Sequence, residues 1–125
     1  EGVGDTTAAE LLELTGGGAD AVLDFVGIDA TINTGLRATR RMGSYGLIGA
    51  AQGRSTTPLY DALPKDGEAF TFQASTIADV LDAVELAESG RVRVDVDLFP
   101  LDRVAEAYEA MERGELRGRA VVVPD

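Results

Sequence analysis

The chain contains neither cysteine nor histidine. Without cysteine there is no disulfide framework and no thiolate chemistry. Without histidine, a Ser-His-Asp triad, a histidine general base and the usual zinc ligand sets are excluded within these 125 residues. Positive charge is scarce: 11 Lys and Arg stand against 22 Asp and Glu, a net charge of −11. A surface of that sign repels phosphate backbones and anionic lipid, so nucleic acid and membrane are poor partners. No apolar run approaches the ~20 residues that span a bilayer, and no signal peptide is read at the start, so the expected location is cytoplasmic. The chain starts at Glu1 rather than methionine. That suggests a piece cut from something longer, although a processed or engineered start would look the same. What remains is an ordinary globular balance, 45% hydrophobic and 26% charged, at a length that suits one domain.

The pattern turns on residues 21–50. AVLDFVG is an apolar run ending in glycine, IDATINTGLRATRR is a helical pattern, and MGSYGLIGA is a second apolar run ending in glycine. Two buried strands joined by a crossover helix make a βαβ unit, with the crossover expected to be right-handed. Ligands of open α/β sheets bind beyond the carboxyl ends of the strands. Here those ends are Val26-Gly27 and Ile48-Gly49-Ala50, where glycine would let a flat ligand approach the backbone. Asp24 interrupts the first run; in a buried strand it must cap or pair with a neighbouring loop, or meet a ligand.

The other elements follow in order. Thr7-Ala8-Ala9-Glu10 is a capping-box pattern that opens a helix to about Thr15. Gly16-Gly17-Gly18 then reads as a helix stop; a phosphate cradle would follow a strand instead. The crossover helix is expected from Asp29 to Arg41, with Ile28, Ile32 and Leu36 as its apolar stripe. Arg37, Arg40 and Arg41 suit its C-terminal dipole, or an anion site. Residues 50–67 read as a long loop with a short helix near Pro58 to Leu63. Glu68 to Gln73 reads as an edge strand with Phe70 and Phe72 on one face, open to pairing with a second copy. Thr76-Ile77-Ala78-Asp79 is a second capping box, opening a helix that Gly90 ends. Arg91 to Leu98 alternates without error as a half-buried strand. Asp102 is the expected cap of a last helix with Val104, Tyr108 and Met111 inward, and Ala120 to Val123 is the final strand. The fold class is α/β with a mostly parallel sheet.

The segments LLELTGGGADAVLDFVG, MGSYGLIGA, VLDAVELAESGRV and FPLDRVAEAYEAMERGELRGRAVVVP resemble the C-terminal third of medium-chain dehydrogenases/reductases, the zinc-type alcohol dehydrogenase superfamily. The resemblance implies the second half of a Rossmann-type doubly wound parallel sheet in residues 1–73, with a C-terminal α/β segment in residues 74–125. It implies an oxidoreductase that uses NAD or NADP and transfers hydride to or from a small alcohol or carbonyl. Such proteins are often zinc-dependent and often dimeric or tetrameric. By the same resemblance, Val26 and Gly27 stand beside the cofactor's ribose and nicotinamide. Ile48, Gly49 and Ala50 hold the carboxamide with their backbone, and Phe72 is another carboxamide neighbour. Arg119 either reaches the pyrophosphate or pairs with a nearby acid. The zinc ligands, the GxGxxG turn and the acid that reads the ribose would lie upstream of Glu1, leaving no catalytic or metal-binding residue in this chain. The Gly-Thr-Arg of many relatives is Ser75-Thr76-Ile77 here, without the arginine. Two alternatives stay open: a zinc-free quinone or enoyl reductase of the same superfamily using NADPH, and a non-catalytic α/β dimerisation module pairing through the edge near Phe70 and Phe72.

Overall fold

The computed structural model describes residues 3–4 and 6–124. The chain forms two compact units, Glu1–Ala74 and Ser75–Asp125. The first carries α1 (Thr7–Thr15), β1 (Ala19–Asp24), α2 (Asp29–Ala38), β2 (Thr39–Leu47), α3 (Leu59–Ala62) and β3 (Glu68–Thr71). Its three strands run parallel in the order β1-β2-β3. The expected parallel α/β layout is present, and β3 is an edge strand. The second unit carries α4 (Ile77–Glu88), β4 (Val96–Pro100), a 3₁₀ turn (Leu101–Arg103), α5 (Val104–Glu112) and β5 (Arg119–Val123), with β4 and β5 paired in parallel.

The core of the first unit lies between α2 and the sheet. Ile32 and Leu36, one turn apart on α2, pack with Tyr45 and Ala62, and Val22 and Leu47 close the cluster. Gly35 makes this possible: a Cβ there would sit 2.6 Å from the Tyr45 ring. The loop after β2 is tied back to α2 by polar bonds. Asn33 Nδ2 donates to the Arg54 carbonyl at 3.0 Å, and the Arg54 amide donates to Asp29 Oδ1 at 2.7 Å. The short helix expected inside this loop is α3.

Several boundaries differ from the expected ones. The first helix spans Thr7–Thr15 as expected, but its capping box does not form: Thr6 takes the N-cap position without a side-chain bond, and Thr7 Oγ1 accepts from the Gly4 amide. The glycine-containing, polar segment from Glu1 to Thr6 reads as a loop in the sequence; of it, Glu1, Gly2 and Asp5 lie outside the described residues. β1 ends at Asp24, two residues before Val26, because the Asp24 carboxylate turns the chain there. α2 ends at Ala38, so Arg40 and Arg41 belong to β2. Each has a carboxylate partner: Arg40 binds Asp20 at 2.6 Å and Arg41 binds Asp66. The strands expected to be buried are covered unevenly. In β1 only Asp24 is buried, whereas β2 buries Thr39, Gly43, Tyr45 and Gly46.

In the second unit the Thr76–Asp79 capping box forms: the Thr76 amide donates to Asp79 Oδ2 at 2.8 Å, and the Asp79 amide donates to Thr76 Oγ1 at 3.2 Å. The strand expected from Arg91 starts only at Val96. Gly90 turns left-handed at φ 70°, and the amides of Arg91 and Val92 return to the Leu86 carbonyl, closing the helix. The five residues of β5 then limit the pairing to Val96–Pro100. Asp102 does not cap α5; it sits inside the 3₁₀ turn. Val104, Tyr108 and Met111 line a groove with Ala120 and Val122 and remain substantially exposed.

Candidate functional site

The carboxyl ends of β1, β2 and β3 lie side by side, because all three strands run the same way. Asp24 pairs with Leu47, and Leu47 with Thr71, so the segments after these residues leave the sheet together. Beyond β2 and β3 lies an open cleft of about 610 Å³ lined by Ile48, Gly49, Ala50, Thr71, Phe72, Gln73 and Ala74. Thr71 and Gln73 bring the only polar side chains in that set. The cleft therefore offers main-chain groups and apolar surface but no titratable side chain. Among the described residues, no three His, Cys, Asp or Glu side chains converge as metal ligands.

The turns after β1 and β2 interlock through their backbones. The Ile48 and Gly49 amides both donate to the Asp24 carbonyl, at 2.8 and 2.9 Å. The Gly53 amide donates to the Gly27 carbonyl at 2.8 Å, and the Ala51 amide to that of Val26 at 3.3 Å. Gly27 has φ 77°, and a Cβ there would meet the Gly49 carbonyl oxygen at 2.4 Å. A Cβ on Gly49 would meet the Val26 backbone at 2.3 Å. These glycines are thus required where main chain meets main chain, a reason different from the expected approach of a ligand.

Asp24 lies at the centre. It is 7% exposed. Its Oδ1 accepts from the Val26 and Gly27 amides, each at 2.9 Å, and its Oδ2 accepts from the Tyr45 hydroxyl at 3.0 Å. The expected cap is therefore real. Burial pushes this carboxyl's pKa up, but the Gly27 and Val26 amides and the Thr31 and Tyr45 hydroxyls outweigh burial and hold it below the usual value. Tyr45 moves the other way: burial, the bond to Asp24 and the charge of Asp24 all raise its pKa.

Of the residues expected at the site, Val26, Gly27, Ile48, Gly49, Ala50 and Phe72 gather at these strand ends. Arg119 begins β5 in the second unit, with its amide donating to the Asp95 carbonyl at 2.9 Å. Among the described residues its guanidinium forms no ion pair. Sequence reasoning missed Thr71, Gln73 and Ala74 as cleft residues, and Tyr45 as the partner of Asp24. The second pairing appears only with the register: Asp24 opposite Leu47, and Val22 opposite Tyr45, put both polar groups on one face of the sheet.

A family model described as zinc-binding dehydrogenase matches residues 2–122. An alcohol dehydrogenase of Geobacillus stearothermophilus is 24% identical over 118 residues, which cover 94% of this chain and 35% of the relative. D-arabinose 1-dehydrogenase (NADP(+)) of Saccharolobus solfataricus is 26% identical over 113 residues, covering 90% of this chain and 32% of the relative. The crystal structure of the alcohol dehydrogenase from Aeropyrum pernix superposes with a TM-score of 0.83 at 30% identity, covering 96% of this chain and 35% of that one. The chain spans about a third of the length of the relatives it matches.

Proposed function

The chain belongs to the zinc-binding dehydrogenase family, and from that premise we propose that it forms the nicotinamide-facing wall of an NAD(P)-dependent oxidoreductase of the alcohol dehydrogenase type. The observation that carries the reading is the cleft at the carboxyl ends of the parallel strands β2 and β3, walled by Ile48, Gly49, Ala50 and Phe72 and placed where open α/β sheets bind ligands. The wall is open and mostly apolar, which fits a flat ring with one polar substituent. A bound nicotinamide supplies the chemistry, accepting or giving a hydride as a small alcohol and its carbonyl interconvert.

The residues of this chain orient it. Val26 and Gly27 flank the ribose and the ring. The amides of Ile48 and Gly49 are already committed to Asp24, so a carboxamide engages the Ala50 amide and neighbouring carbonyls, with Phe72 against its other side. Arg119 offers a phosphate two parallel charge-assisted bonds. Both NAD and NADP suit this wall, since nothing in it addresses the 2′ position. Among the described residues no set of side chains fits zinc. The protein is read as cytoplasmic and as pairing with a second copy through the β3 edge near Phe70 and Phe72, where every β3 residue is exposed.

The test is a titration of this chain with NADH and with NADPH, followed by amide chemical shifts. Saturable shifts centred on Gly27, Ile48, Gly49 and Ala50 are expected. Shifts scattered over the surface, or none at millimolar cofactor, would remove the reading.

A further inference from the structure

We infer that Asp24 is a positioning residue that shapes both ligand-facing turns at once and thereby sets their affinity for the cofactor. The inference rests on the nicotinamide reading of the cleft and adds a residue that does not itself line the cleft. Two parts of one residue do two jobs. The carboxylate gathers the amides of Val26 and Gly27 through Oδ1 and is anchored from β2 by the Tyr45 hydroxyl on Oδ2. The main-chain carbonyl gathers the amides of Ile48 and Gly49. Four of the expected cofactor-facing residues therefore hang on Asp24. With the Val26 and Gly27 amides turned in toward Asp24, their carbonyls turn out and accept from Ala51 and Gly53, which locks the second turn against the first. At 7% exposure, water is a poor substitute for the missing acceptor in a truncated variant.

The chemistry separates positioning from bulk stability. In Asp24→Asn the side-chain oxygen can still accept from both turn amides, and the new NH₂ can donate to the Tyr45 oxygen, which is itself an acceptor. Asp24→Ala removes the acceptor altogether. Amide hydrogen exchange is measured on this chain, and cofactor affinity is measured by titration with NADH. In Asp24→Ala, exchange at Val26 and Gly27 should accelerate about tenfold or more, and NADH affinity should fall by about the same factor, as expected for losing bonds to a charged acceptor. Protection at Ile32 and Leu36 should persist. Asp24→Asn should restore both readouts to within about threefold of wild type.

Unchanged exchange and unchanged affinity in Asp24→Ala would overturn the inference, and so would an Asn variant as impaired as the Ala variant. If Asp24→Ala yields no dispersed spectrum, Asp24→Ser is read in its place. Its shorter hydroxyl cannot serve both turn amides and Tyr45, and wild-type values in that variant would overturn the inference equally. The exchange arm uses no cofactor, so the two readings can fail separately. A wild type that ignores NADH removes the nicotinamide reading and the affinity part of the inference. An exchange response to Asp24→Ala in that same protein still establishes Asp24 as the residue that positions the turns.

Discussion

At the scale of single residues, the Asp24–Tyr45 pair makes the sharpest demands. Tyr45→Phe leaves a buried carboxylate oxygen without its donor, so the chain should lose about 1–3 kcal/mol in denaturant melts. The pH dependence has a definite sign. The folded carboxyl is held below its usual value, so the folded chain binds that proton more weakly than the unfolded chain does. The stabilisation is complete above the usual carboxylate value of about 4 and is lost as pH falls through the lower folded value. The stability gap between wild type and Asp24→Asn should therefore narrow on acidification below about pH 4. Gly49→Ala should cost about 1–3 kcal/mol by overpacking, because its Cβ would lie 2.3 Å from the Val26 backbone; thermal melts check this. Much of the site was legible at this scale. A charged residue inside an apolar run is a marked position, and Asp24 stood out for that reason. Its partner was not legible, because Tyr45 reads as one more core aromatic until the register puts it beside Asp24.

At the scale of elements, local chemistry was readable where the element carries its own signal, and unreadable where a partner sets the limit. The Thr76–Asp79 box and the glycine after α4 are each local signals at the helix's own ends, and α4 starts and stops where they direct. Thr76→Ala should speed amide exchange in the first turn of α4 by roughly fivefold, with little change in α5. The alternation from Arg91 to Leu98 promised a longer strand than forms. Alternation reports which face a strand would bury, but length depends on the neighbour, and β5 is only five residues long. The end of α2 shows the same logic. Arg40 and Arg41 continue a helical charge pattern, yet they lie in β2, where they pair with Asp20 and Asp66. Their carboxylate partners lie 20 and 25 residues away in the chain, beyond the reach of any local pattern.

At the scale of the whole molecule, the proposed division of labour has a direct consequence: the purified chain should oxidise no alcohol with either NAD or NADP, while still showing the proposed binding of the reduced cofactor. Spectrophotometric assay over a panel of primary and secondary alcohols checks this. Sedimentation should show a concentration-dependent dimer, shifted toward monomer by Phe70→Lys at the edge strand. The interlocked turns carry one more implication. Their contact surface is written in peptide groups, with side chains playing a minor part. Substitutions at Val26, Ile48 or Ala50 can change the texture of the wall and leave its frame intact, whereas lengthening either loop by one residue would shift every bond between them out of phase. The strand ends should therefore tolerate changes of residue identity far better than changes of length, and insertion scanning would reveal two separate segments of sequence that fail as one.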